Sequence, residues 1–156
     1  IADHIAGSTE KFAEMMNAEA KKLMATNSHF VNPSGLHDDN HYTTAYDLYL
    51  IFNECIKHDE FVKIINSSSY TAHITGADGT KRDVKWEPTN YYAKGEATPP
   101  DNVTIIGGKT GTTKGAGNCL ILLTKDSSGN PYISIIMGAG SKPLLYQDMT
   151  SMLSKI

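Results

Sequence analysis

Residues Ile105 to Leu123 read IIGGKTGTTKGAGNCLILL. Two isoleucines run into Gly107 and Gly108, then one lysine, then Thr110-Gly111-Thr112-Thr113, and a second glycine-rich step leads into an apolar run. Apolar stretches bounded by glycine turns read as paired strands. Ile105 to Thr113 is predicted as one strand and Asn118 to Lys125 as its antiparallel neighbour. Gly in a strand weakens it and marks close approach of another backbone or of a ligand. Lys109, between Gly108 and Gly111, stands at such a place.

Working outward, Tyr132 to Gly138 is a third strand, and Asp126-Ser-Ser-Gly-Asn-Pro131 supplies the turn before it. Lys142 to Ile156 carries Leu144, Leu145, Met149, Met152 and Leu153 on one face, as a closing helix does. Upstream, Tyr70 to Trp86 reads as a hairpin turning at Gly76-Ala77-Asp78-Gly79. The stretch "EPTNYYAKGEATPPDN" after it reads as irregular. The first half is helical: Ile1 to Ser8, then an amphipathic helix capped by Ser8 or Thr9. A third begins at Thr43 or Thr44 and a short one covers "DEFVKIIN". On the third helix Tyr46, Tyr49 and Phe52 recur at helical spacing and read as core. Helices, then a mostly antiparallel sheet, then a closing helix make an α+β fold.

A chain of 156 residues holds one domain with a core. A net charge of −3 gives no footprint for nucleic acid or for an anionic membrane surface. Cys55 and Cys119 lack metal-ligand spacing and form no disulfide framework. No run is long enough to span a bilayer. His37-Asp38-Asp39-Asn40-His41 holds metal-ligand residue types, but Pro33 and Gly35 make this a loop, where the four-residue spacing of the histidines has no helical meaning. It reads as a solvated loop leading to a helix cap. Trp86 precedes the irregular stretch, and the sequence leaves its place open.

Small hydroxyls at Thr110, Thr112 and Thr113 add donors without bulk. A strand with free N–H groups pairs with an extended peptide, and a lysine there adds positive charge beside it. The alternative for three letters alone is a solvated lysine on a glycine-rich strand. The context favours a peptide-binding edge with a cationic centre.

Lys-Thr-Gly on a strand is also a signature of serine penicillin-binding proteins and class A β-lactamases. "LMATNSHFVNPSGLHDDNHYTTAYDLYLI", "WEPTNYY", "IIGGKTGTTKGAGNCLILL" and "YISIIMGA", in that order, resemble the D-alanyl-D-alanine carboxypeptidases of the low-molecular-weight penicillin-binding group. The resemblance covers nearly the whole chain. It implies a β-lactamase/penicillin-binding-protein-like fold and removal of the terminal D-Ala of peptidoglycan stem peptides through an acyl-serine. It further implies reaction with β-lactams, no cofactor, a bacterial extracytoplasmic location, and membrane contact only through regions outside this chain.

The family uses S-x-x-K, then S-x-N, then K-T-G. Ser8-x-x-Lys11 fits the first pattern, but its helix is polar on one face and Ser8 reads as a cap. Ser128-Gly129-Asn130 fits the second, but it follows K-T-G and has turn composition. The expectation is therefore that residues 1–156 are the C-terminal portion of a catalytic domain. On that reading the nucleophile segment lies elsewhere, and the isolated chain is inactive. An exposed apolar sheet surface should then be left for the missing N-terminal segment or for a second chain.

By resemblance, Lys109 is the motif lysine and acts on developing negative charge, and Thr110 binds the terminal carboxylate. Gly111 lets the peptide backbone lie close, and the Thr112 N–H is an oxyanion donor. Arg82, the only arginine, sits in the hairpin, which leaves the carboxylate to Lys109 and Thr110. The alternatives are a class A β-lactamase, whose E-x-x-L-N pattern finds no match here, and a non-catalytic peptide-binding or scaffold module.

Overall fold

The computed structural model describes residues 1–156. The helices are α1 (Ala2–Ala6), α2 (Thr9–Lys22), α3 (Ala45–Cys55), α4 (Asp59–Ile65), α5 (Tyr91–Lys94) and α6 (Lys142–Leu153). The strands are β1 (Tyr70–Thr75), β2 (Lys81–Trp86), β3 (Val103–Thr113), β4 (Gly117–Asp126) and β5 (Pro131–Ala139). β1 and β2 form a separate antiparallel hairpin, and the main sheet runs β3-β4-β5, antiparallel throughout. The α+β expectation holds, with Lys109 on β3 opposite Ile121 of β4.

Caps fix the helix starts. Ser8 Oγ accepts the Lys11 N–H, Thr44 accepts that of Asp47, and Ser141 accepts that of Leu144. Each satisfies an orphan donor of a first turn, an arrangement worth about 1 kcal/mol. Asn90 caps α5, a one-turn helix inside the stretch that the sequence reads as irregular. Four residues after Pro88 give no periodicity to read. The correction has weight, because this turn carries Tyr91 and Tyr92 into the core region.

The core lies between α6 and one face of the sheet. Leu120 and Leu122 of β4 meet Leu145, Met149 and Leu153 of α6, all five nearly fully buried. Tyr146 joins this cluster, stacked on Tyr91 at 4.5 Å and edge-on to Tyr92. Its hydroxyl accepts the Tyr91 N–H at 2.9 Å, and the Tyr92 hydroxyl pairs with Thr150 at 2.7 Å.

Burial pushes the Tyr92 and Tyr146 hydroxyls above the ordinary tyrosine range. A raised folded-state pKa means that the stabilisation is complete below the unfolded value of about 10 and is lost as pH rises through the folded value. Thermal melts above pH ~10 should therefore show a fall in Tm that is shallower in Tyr146→Phe. An equal slope in the variant would remove Tyr146 as a cause.

Helix α3 departs from expectation. Tyr46 is 67% and Tyr49 39% exposed, and the buried positions are Asp47 and Phe52. Phe52 is buried as the spacing predicts, while Tyr46 and Tyr49 on the same stripe face outward. Asp47 is 1% exposed and accepts the Asn27 N–H at 2.8 Å and the Ser28 hydroxyl at 2.7 Å, tying the loop after α2 to α3.

On the opposite face Leu123 is buried, and Cys119, Ile121, Ile133 and Ile135 are half-buried. The chain exposes 10192 Å², whereas a compact monomer of 17.0 kDa exposes about 7,700 Å². Met137 of the outer strand β5 is 38% exposed.

Candidate active site

Register decides which way each motif side chain faces. Directly paired residues on antiparallel strands share a face. Thr110 pairs with Leu120 and so lies on the α6 side. Lys109 and Gly111 pair with Ile121 and Cys119 and lie on the other. The motif therefore straddles the free edge of β3.

The glycines before the lysine have separate structural reasons. A Cβ on Gly107 would stand 2.2 Å from the Ile65 carbonyl oxygen, and one on Gly108 would stand 2.1 Å from that of Ile121. Helix α4 ends against the first, and β4 closes on the second. A β-bulge between Ile105 and Gly107 sets this register. At Gly111 the nearest contact for a Cβ is Cys119 at 3.9 Å, an ordinary distance.

A groove of about 640 Å³ runs along this edge. Lys109 to Thr113 form one wall, the loop Asn32 to Gly35 another, and Tyr91, Lys142 and Tyr146 a third. The predicted residues Lys109, Thr110, Gly111 and Thr112 all line it. The Lys109 ammonium donates to the Thr110 carbonyl, and the Thr110 and Thr89 hydroxyls share a hydrogen bond, both at 2.5 Å.

Two groove residues were missed by sequence reasoning. Thr89 lies in the stretch read as irregular, and no local pattern marks it. Lys142, at the first turn of α6, reaches the groove over the Tyr91 ring, 5.8 Å from its centroid. Lys142 therefore adds to the groove a second cation that the sequence reading did not name. Neither lysine takes part in an ion pair, and no Asp or Glu lines the groove. Two uncompensated ammonium groups beside free strand N–H groups suit an anionic, extended ligand.

Ser8 and Ser128 lie apart from this arrangement, whereas His41 and Cys119 line the groove. Ser8 caps α2, and Ser128 sits in a turn held by Asp126, whose carboxylate accepts the Ser128 and Asn130 N–H groups at 2.8 Å. Neither lines the groove. In the histidine loop, His41 Nδ1 accepts the Val31 N–H at 3.2 Å, and His37 lies against Gly115 of the β3–β4 turn. No group of three His, Cys, Asp or Glu side chains converges as metal ligands would. Cys55 and Cys119 are free thiols.

The D-alanyl-D-alanine carboxypeptidase family, peptidase S11, matches residues 1–141. The chain belongs to that family. It is similar to the D-alanyl-D-alanine carboxypeptidase DacF of Bacillus subtilis, 29% identical over 158 residues, which cover 98% of this chain and 36% of that protein. DacD of Escherichia coli is 32% identical over 143 residues, 90% of this chain and 33% of that one. The crystal structure of the Streptomyces K15 DD-transpeptidase superposes with a TM-score of 0.82 at 26% identity, covering 92% of this chain and 53% of that chain. This S11 chain thus spans about half, or less, of the relatives it matches.

Proposed function

We propose that this S11 chain forms the K-T-G side of a serine D-alanyl-D-alanine carboxypeptidase site acting on peptidoglycan stem peptides and acylated by β-lactams. Family membership supports the reaction class. The observation that carries the reading to these residues is the groove itself: a free strand edge, an open position at Gly111, and two lysines without a carboxylate beside them.

On this reading the peptide lies antiparallel along β3. Thr110 and Lys142 meet its terminal carboxylate, the second cation taking the place of an arginine. The Thr112 N–H faces the developing oxyanion, where a preorganised donor is worth roughly 3 kcal/mol in the transition state. Lys109 favours the negative charge that forms on acylation. Residues 1–156 are the C-terminal portion of the catalytic domain. A segment bearing the nucleophilic serine and its lysine covers the half-exposed face of the sheet. No helix here is long and apolar enough to cross a membrane. We place the protein in the bacterial cell envelope, as its substrate requires.

Binding tests this without needing turnover. An N-acylated peptide ending in D-Ala-D-Ala, titrated into the chain, should shift the amide resonances of Thr110 to Thr112 saturably. Lys109→Ala should abolish the shift, and Lys142→Ala should weaken binding about tenfold, ~1.4 kcal/mol. The same peptide with an amidated C-terminus should not bind. Equal binding of acid and amide would show that the lysines are not reading a carboxylate, and the proposal would fall.

A further inference from the structure

A second cavity, of about 360 Å³, adjoins the groove. Lys109 and Thr89 line both, so the two spaces share a wall. The far side is the open end of the β1–β2 hairpin, where Tyr70 and Trp86 are direct cross-strand partners. Their rings stack at 6.1 Å and 18°, yet they remain 64% and 54% exposed. An exposed apolar side chain needs no explanation when it stands alone, but two large rings held parallel at a cavity mouth do.

The polar lining narrows the ligand. It consists mainly of neutral groups, Ser67, Ser69, Thr89 and Asn90. Glu87 is paired with Lys85 at 2.8 Å, which holds its carboxyl below the usual range and neutralises it as a cation site. The remaining charge is Lys109, on the shared wall. Asn90 is 4% exposed, and its Oδ1 accepts the Tyr92 N–H. Its Nδ2 has no partner.

A flat aromatic face beside hydroxyl and amide groups, with its one free charge confined to the shared wall, matches a neutral ring with one apolar face and polar edges. A pyranose has that shape: its axial C–H groups carry slight positive charge toward the negative face of an aromatic ring, while its hydroxyl and acylamino groups point outward. We propose that the Tyr70–Trp86 platform is a saccharide subsite, holding a sugar ring of the glycan strand while the stem peptide occupies the adjoining groove. This rests on the carboxypeptidase reading for the identity of the ligand, and on the cavity alone for its chemistry. It gives the hairpin a role: a ring platform on a two-stranded arm, one wall away from the K-T-G edge.

Trp86 is the only tryptophan, so intrinsic fluorescence reports on the platform itself. The chain is titrated with the tetramer of β-1,4-linked N-acetylglucosamine. A saturable change in emission with a dissociation constant near ~1 mM is expected. Tyr70→Phe, which keeps the ring, should bind like the parent. Tyr70→Ala should bind about tenfold more weakly. If Tyr70→Ala disturbs the hairpin, Tyr70→Thr keeps strand propensity without a ring and should show the same loss. No saturable change well above the millimolar range overturns the inference, as does equal weakening in Tyr70→Phe. So does a Tyr70-dependent response to tetramethylammonium as strong as that to the sugar, which would make the platform a cation site.

The peptide titration described above separates the two readings. Peptide binding without sugar binding removes the subsite and leaves the carboxypeptidase reading intact. Sugar binding without peptide binding does the reverse.

Discussion

Incubated with a reactive penicillin, the 156-residue chain should show no gain in intact mass. Acylation needs a hydroxyl or thiol within hydrogen-bond reach of an activating base. The groove offers Ser34, but its hydroxyl donates to Asn32 Oδ1 at 3.0 Å and belongs to the loop's own turn. The Cys119 thiol donates to the Ala116 carbonyl at 3.5 Å, and the Thr110 hydroxyl is engaged with Thr89. None is paired with a lysine or histidine side chain. A longer product of the same gene carrying an upstream S-x-x-K segment should gain one penicillin per chain. Lys109→Ala in that product should slow acylation by roughly two orders of magnitude, the scale expected for removing one charge-stabilising group. A stoichiometric adduct on the short chain, mapped to Ser8 and lost in Ser8→Ala, would mean that the cap of α2 is the nucleophile and that the fragment reading is wrong.

What was legible beforehand follows from how local each signal is. The strands β3 to β5 announce themselves, because each apolar run is bounded by glycine or by Asp-Ser-Ser-Gly, and turn chemistry is written in adjacent residues. The caps at Ser8 and Thr44 are equally local. Helix α5 was not readable, since one turn is shorter than a helical period can establish. The exposure of Tyr46 and Tyr49 was not readable either: a periodic stripe fixes a face, and Phe52 on it is buried, but only tertiary packing decides how far along the helix that face is covered. At the site, Lys109 to Thr112 could be named because they are consecutive. Thr89 and Lys142 could not: Thr89 meets Thr110 across a chain path of 21 residues, and Lys142 comes to the groove through the return of β5 into α6.

Gly108→Ala and Gly111→Ala, three residues apart on one strand, should have opposite consequences. At Gly108 a methyl group would sit 2.1 Å from the Ile121 carbonyl oxygen and 2.8 Å from Leu122 Cδ2. Leu122 is fully buried and Ile121 lies in the central strand, so backbone has to move at the centre of the sheet. Overpacking against side chains costs about 1–3 kcal/mol. Against backbone in a paired strand the loss should reach ~3 kcal/mol or more, a large share of a marginal stability. Urea denaturation of Gly108→Ala should show a markedly lower midpoint. At Gly111 the same methyl group meets nothing closer than 3.9 Å, so the midpoint should move by less than about 0.5 kcal/mol equivalent, in line with a surface substitution. The fold therefore gives no reason for glycine at position 111, and a ligand backbone lying against the strand does. Gly111→Ala should keep the stability of the parent and lose affinity for the D-Ala-D-Ala peptide by tenfold or more, about 1.4 kcal/mol. If Gly111→Ala instead unfolds the sheet, or binds the peptide as well as the parent does, the ligand does not approach this edge as described. The doublet Gly107-Gly108 would then remain explained by packing alone, and Lys109 would need another reason to stand where it does.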